Sequence, residues 1–99
     1  MRVYFTSLSQ KEYQEAVYYY DDQNIVIGNE FIGEVEEAIK LIVSFPSAWP
    51  LVNDKLRRYV LKRFPFMILY KFYGDRVVIF AIAHQHREPT YYLKRHPVS

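Results

Sequence analysis

Hydrophobic and polar positions alternate along this chain with two different periods, and the change of period divides it. Residues 2–6, RVYFT, are rich in β-branched and aromatic side chains and read as a short first strand. Ser9-Gln10-Lys11-Glu12 follows and fits a capping box, in which a hydroxyl and a carboxylate satisfy the free backbone donors of a starting helix. A helix is predicted over residues 10–20, because Tyr13, Ala16, Val17 and Tyr20 follow the i, i+3, i+4, i+7 stripe. The rings of Tyr18 to Tyr20 are expected to bury against the sheet and the next helix. Asp21-Asp22-Gln23-Asn24 breaks the pattern.

Residues 25–44 form a second, longer amphipathic pattern. Phe31, Val35, Ala38, Ile39 and Ile42 share one face, and Glu30, Glu34, Glu37 and Lys40 lie largely on the other. Gly28 and Gly33 each cost a helix about 1 kcal/mol relative to Ala, so the first turns are expected either to start late or to pack closely against helix one. Phe45-Pro46-Ser47-Ala48-Trp49-Pro50 then ends helical geometry, since each Pro lacks a backbone donor and pushes its predecessor to extended conformation.

Beyond this connection the period shortens. Three strand-like runs occupy residues 56–63, 66–73 and 76–83, with Pro65 between the first two and Tyr73-Gly74-Asp75 as a tight turn between the last two. The order β-α-α-β-β-β defines an α+β class, a two-helix hairpin packed on a twisted antiparallel sheet. Strict alternation sets Phe66, Ile68, Tyr70 and Phe72 against Met67, Leu69 and Tyr73, and Val77, Ile79 and Ala81 against Val78, Phe80 and Ile82. Both faces are apolar, so the face away from the helices is expected to form an apolar groove that awaits a partner.

Composition narrows the class. Ninety-nine residues with 51% hydrophobic and 18% aromatic side chains suit one compact domain over residues 1–99. No apolar run reaches the roughly 18 residues of a membrane helix, and no signal-peptide pattern opens the chain, so a cytoplasmic protein without a membrane partner is expected. The absence of Cys removes disulfides, thiolate metal sites and a cysteine nucleophile. Charge is unevenly distributed. Residues 1–48 hold three basic and eight acidic side chains, a formal charge of −5, whereas residues 49–99 hold ten basic and three acidic, a formal charge of +7. Such polarity points to a basic face for a polyanion or an acidic partner, or to a solvated surface of mixed sign.

Candidate chemistry concentrates in the segment from His84 to His96. Imidazole exchanges protons near neutral pH, Arg stabilises developing phosphorane charge, and a phenol supplies a proton or stacks on a base, so these types together suit metal-free RNA cleavage by the 2′-hydroxyl. His84 reads first as a sheet residue. His84 and His86 have no third ligand nearby in sequence, there is no HExxH and no glycine-rich loop, so neither metal nor cofactor is expected. Glu34, Glu36 and Glu37 read as a solvated helix face. Arg57, Arg58, Lys62 and Arg63 put cations on both faces of one strand, as a binding edge, as an edge protected from aggregation, or as both.

The run Leu56-Arg57-Arg58-x-x-Leu61-x-Arg63-Phe64-Pro65-Phe66-x-Ile68-x-Tyr70, followed by Asp75-x-Val77-x-Ile79-x-Ala81-x-Ala83-His84-x-x-Arg87-x-Pro89-x-Tyr91, resembles the RelE/ParE superfamily of bacterial toxins. Glu12-x-x-x-Ala16-x-x-Tyr19-Tyr20, Phe31 and Phe45-Pro46 are similar to family positions as well. The resemblance implies the toxin half of a type II toxin-antitoxin pair, bound and blocked by a cognate antitoxin in a hetero-oligomer. Its ParE-like branch implies DNA gyrase as the target, with no active site and with Arg87, Lys94 and Arg95 as contact residues; Arg57, Arg63 and Tyr92 are further candidates for target or antitoxin contact. Its RelE-like branch implies a ribosome-dependent mRNA endoribonuclease using Arg58, His86, Arg87 and a C-terminal tyrosine, Tyr91 or Tyr92. Met67 stands where those ribonucleases carry a catalytic Arg. The ParE-like branch is the expectation, and the ribonuclease is the alternative.

Overall fold

The computed structural model describes residues 1–93 and Arg95; Lys94 and residues 96–99 lie outside the described residues. The element order is β1 (Arg2–Phe5), α1 (Ser7–Gln23), α2 (Ile25–Ser44), β2 (Leu56–Val60), β3 (Phe66–Phe72), β4 (Arg76–His84) and a short α3 (Thr90–Leu93). The strands form one sheet in the order β1-β4-β3-β2. The β2-β3-β4 meander is antiparallel, and β1 joins it parallel to β4. The α+β expectation holds, with the first strand as the parallel member of a mostly antiparallel sheet.

Helix α1 starts three residues before the expected place. Its cap is Thr6, whose side chain accepts from the Ser9 amide at 3.1 Å. Ser9 is fully buried inside the first turn, and its hydroxyl lies 2.9 Å from the Thr6 carbonyl and 2.8 Å from the Ile79 carbonyl of β4. The Ser9–Glu12 box is therefore not formed, because Thr6 holds the cap position and the Glu12 carboxylate turns to the Ile82 amide of the sheet. Asn24, extended at φ −171°, serves two helices. Its N–H donates to the Tyr20 carbonyl at 3.0 Å, and its side-chain oxygen accepts from the Val26 amide at 2.8 Å. One residue thus closes α1 and opens α2, which keeps the hairpin tight.

Gly28 is where the two helices meet. A Cβ there would lie 1.7 Å from Asp21 Oδ1 and 3.1 Å from the Asp21 amide nitrogen, so close packing rather than a late start explains this glycine. Phe31, Val35, Ala38 and Ile42 are buried as the stripe predicts, together with Ala16 and Tyr20. Tyr18 and Tyr19 are exposed, contrary to expectation, because successive helical residues cannot share one buried face. Tyr20 packs instead into an aromatic cluster, with ring centroids 5.1 Å from Phe31 and 4.8 Å from Phe64, while Phe31 lies 5.6 Å from Phe66. These rings anchor the turn between β2 and β3 on the helices. That turn begins early: the Lys62 and Arg63 amides donate to the Glu34 carboxylate, so β2 ends at Val60 rather than Arg63.

Alternation on β4 departs from the simple pattern. Leu69 pairs with Ala81 and Tyr70 with Ile79, which leaves Phe80 as the extra residue of a β-bulge. The bulge reverses the faces of everything after it. Val77, Ile79 and Ile82 join the helix-side core, whereas Phe80, Ala81 and Ala83 join Leu56, Met67 and Leu69 on the opposite face. That opposite face is not an open apolar groove, since Tyr92 of α3 and Val52 pack onto the cluster and bury it. The connection before β2 covers the sheet's other edge through the Leu51–Arg57 bridge and the Val52 and Arg58 amides. Among the described residues no helix is long and apolar enough to cross a membrane.

Replacing Gly28 with Ala forces Asp21 and the interhelical contact apart. Urea unfolding should show a loss of roughly 1–3 kcal/mol, typical of overpacking.

Candidate functional site

The candidate site lies at an end of the sheet left open because β1 is short. It pairs with Arg76 to Ile79, so the second half of β4 presents an unpaired strand edge beside α1. Side chains complete that edge. The Thr6 amide and Ser9 hydroxyl reach the Ile79 carbonyl, Arg95 Nη1 donates to the Phe80 carbonyl at 3.1 Å, and the Ile82 amide donates to Glu12 Oε1 at 3.0 Å. Glu12 is the centre of this arrangement. Its carboxylate also accepts from Tyr91 Oη at 2.9 Å and from both terminal nitrogens of Arg95, at 3.0 and 2.5 Å.

The Glu12–Arg95 pair is largely buried, with side-chain exposures of 11% and 8%. Burial pulls the Arg95 pKa down, but the hydrogen bonds and charge of Glu12 outweigh it and hold the guanidinium above its ordinary value. For Tyr91, burial, then the Glu12 hydrogen bond and the Glu12 charge, push the phenol pKa up against the opposing charges of Arg95 and Arg87. Tyr91 is thus a hydrogen-bond donor held protonated at neutral pH. Two guanidinium groups approach its ring, Arg87 at 4.1 Å and Arg95 at 4.8 Å from the centroid.

Above this network a cleft of about 290 Å³ opens between α1 and the end of β4, lined by Glu12, Glu15, Tyr19, Phe66, His84, Arg87 and Tyr91 among others. The turn after β4 aims Arg87 there, with its amide donating to the His84 carbonyl at 2.9 Å. The His86 amide donates to His84 Nδ1 at 3.2 Å. His86 itself is exposed beside the cleft, with its ring 5.4 Å from that of His84.

The sequence candidates separate into distinct groups. Arg87 and Tyr91 converge in the cleft, and His86 stands at its margin. Arg58 does not join them: it lies exposed on β2, on the sheet face opposite α1, with β3 between it and β4. The five remaining contact candidates lie outside the cleft lining or outside the described residues. Arg57 donates to the Trp49 carbonyl at 2.7 Å and the Ser47 carbonyl at 3.2 Å, pinning the connection after α2. Tyr92 is only 4% exposed and fills the core of the outer face. Arg95 is tied into the Glu12 pair, and Lys94 lies outside the described residues. Arg63 is surface-exposed but paired with Glu30 at 2.9 Å and Glu34 at 3.5 Å.

The sequence marks Glu12 and Tyr19 as family-like positions without showing that they meet at the cleft, and it gives no sign of Glu15 or of His84 as lining residues. One signal for Glu12 was present: it occupies the same helix face as Ser9 and Ala16, both buried, so a carboxylate there requires partners from another element. Among the described residues no group of three or more His, Asp or Glu side chains is placed to hold a metal ion.

The two-helix hairpin on this four-stranded sheet leaves His84, His86 and Arg87 exposed at one end. Residues 3–89 match the ParE toxin of the type II toxin-antitoxin system, parDE, and the chain belongs to that family. Membership implies a cognate antitoxin as partner. A solved structure described as a chromosomal ParDE TA system from P. aeruginosa shares the fold, with a TM-score of 0.55 and 20% identity over 85% of this chain and 95% of that one. The comparison with curated proteins finds no sequence match.

Substituting Glu12 with Ala leaves Arg95 charged and buried without its partner and frees the Ile82 amide. Equilibrium unfolding should register a loss of about 3–5 kcal/mol, the range for breaking a buried pair from one side. A second outcome concerns alkaline pH. The pKa values of Tyr13, Tyr20, Tyr59, Tyr70 and Tyr91 all lie above the unfolded value of 10.0, raised first by burial. Their contribution is complete below pH 10 and is lost as pH rises through the folded values. Thermal midpoints should therefore fall above pH 10, and less steeply in a Tyr70→Phe variant.

Proposed function

We propose that this toxin arrests growth by a ParE-like action on DNA gyrase, through binding rather than catalysis, with Arg87 at the centre of the contact and the antitoxin restraining it. The observation that carries this reading is the failure of an RNA-cleaving set to assemble. Met67, at the place of the ribonucleases' catalytic Arg, is 1% exposed in the apolar outer-face cluster and presents nothing to a phosphate. Arg58 is on the opposite face of the sheet from the cleft, about 10 Å away across two strand spacings before any difference in height is counted. The Tyr91 phenol is committed to Glu12, and its raised pKa keeps it from acting as a base at neutral pH.

Arg87 is suited to recognition. Its guanidinium is exposed at the cleft, stacked on Tyr91 and carried on a turn braced by the His84 carbonyl. A planar cation held this way loses little freedom when it meets a carboxylate or phosphate of a target. The cleft's aromatic walls, Tyr19 and Phe66, supply apolar area beside it.

The test follows amino-acid and thymidine incorporation in the first minutes after induction without antitoxin, with a supercoiling assay on purified gyrase beside it. Thymidine incorporation should stop first and supercoiling should fall, with Arg87→Ala losing both effects while remaining folded. Prior arrest of protein synthesis, together with cleaved mRNA, would replace this reading with the ribonuclease.

A further inference from the structure

Charge in this molecule is separated by layer. The four strands carry Arg2, Arg57, Arg58, Lys71 and Arg76 and no carboxylate, whereas α1 and α2 carry eight carboxylates and two lysines. Arg57 turns to the backbone of the preceding connection. The other four cations lie on the sheet face away from the helices, one on each strand. Pairing fixes their relative places. Arg2 stands beside Arg76, Lys71 beside Val78, and Arg58 beside Leu69, whose partner on β4 is Ala81. With neighbouring strands about 4.8 Å apart, the four heads make a diagonal band that crosses the whole sheet.

Such a band costs stability. Arg2 and Arg76 are like charges on adjoining strands, which repel. Their local compensation is slight: Asp75, itself 80% exposed, lies 3.2 Å from Arg76, and Arg2 reaches the Tyr4 hydroxyl at 3.4 Å. Aromatic rings support the cations from beneath, with Arg76 4.9 Å from the Tyr73 ring and Lys71 4.7 Å from the Phe80 ring. Tyr92 and Val52 cover one end of this face, but the end at Arg2, Tyr4, Arg76 and Val78 opens into a broad basin of about 840 Å³.

We infer that this band is a contact surface for the phosphate backbone of duplex DNA. Three strand spacings give the band a width of about 14 Å. Over that length duplex DNA presents about eight backbone charges, one per roughly 1.7 Å of axis. The acidic helical layer is repelled by the same polyanion, so the charge separation also orients the domain with its sheet toward the duplex. The choice of duplex DNA rests on the gyrase reading above, since that enzyme works on duplex DNA; the band itself rests on the strand register.

The experiment measures fluorescence anisotropy of a labelled duplex with the full chain between about 50 and 200 mM salt. Four phosphate contacts should give a slope of log affinity against log salt of roughly −3.6, falling to roughly −1.8 in the double variant Arg2→Gln/Arg76→Gln. Lys40→Gln, which removes a cation from α2, should leave the slope unchanged. Circular dichroism establishes that each variant is folded, and Arg58→Gln or Lys71→Gln repeats the test if the double variant is not. An unchanged slope in folded band variants overturns the inference, as does an equal loss in Lys40→Gln, which would indicate net charge alone. Preference for single-stranded DNA or RNA, or displacement of the duplex by polyglutamate at equal charge, also overturns it. Duplex binding through the band without any effect on gyrase supercoiling would uphold the surface and remove the gyrase reading.

Discussion

A β4 strand that outlasts its neighbour sets the terms for this fold. β1 pairs with only the first half of β4, and a polar strand edge left in the interior must find partners or be lost to water. The carboxylate of Glu12 resolves this by accepting from the Ile82 amide, and one buried negative charge then requires a buried positive one, which Arg95 supplies. A buried ion pair contributes little net stability compared with an apolar filling of the same volume. What it provides here is connection, because the helix, the strand edge and the C-terminal segment are all joined through two oxygens. The same two oxygens place Tyr91, and Tyr91 carries Arg87 on its ring. The presentation of the exposed cation is thus a consequence of how the sheet edge is closed.

The bulge at Phe80 is part of that solution. By inserting one residue it reverses the facing of Ala81 to His84, so that Ile82 enters the helix-side core and His84 emerges at the cleft. Without the reversal, His84 would point to the outer face with Met67 and Leu69. The bulge also sends Phe80 and Ala81 together to the outer face, where Tyr92 closes over them. Core packing and the shape of the cleft are therefore coupled through one irregular position, as is common where strands end at functional sites.

Family membership accounts for an antitoxin, and the surfaces this architecture offers are an acidic helical layer, a basic sheet face and a cleft between α1 and the end of β4. Because no strand carries a carboxylate, the two layers differ in electrostatic character, and partners of opposite charge have separate surfaces to bind. An acidic α2 also has an internal use, since Glu34 accepts the amides that end β2.

The elements themselves were legible because they depend on local periodicity. The stripe of Phe31, Val35, Ala38 and Ile42 determines α2, the Pro-rich connection ends it, and Gly74 in its positive-φ turn joins β3 to β4. Those features follow from backbone geometry and burial, which neighbouring residues specify. The family was legible for the same reason, as its motifs lie within single strands and turns. The site was legible only in part. Arg87 and Tyr91 line one cleft, as their chemistry suggests, whereas Arg57 and Arg95 are tied into internal hydrogen bonds and Tyr92 is buried. Whether a cation or a ring faces solvent depends on what lies across from it, and for Arg95 that is Glu12, 83 residues away. The sequence alone determined which segments are helix and strand and which stripe is buried. Only the tertiary structure decided which polar groups are free to act, because hydrogen bonds between distant segments satisfy some of them and leave the others at the surface.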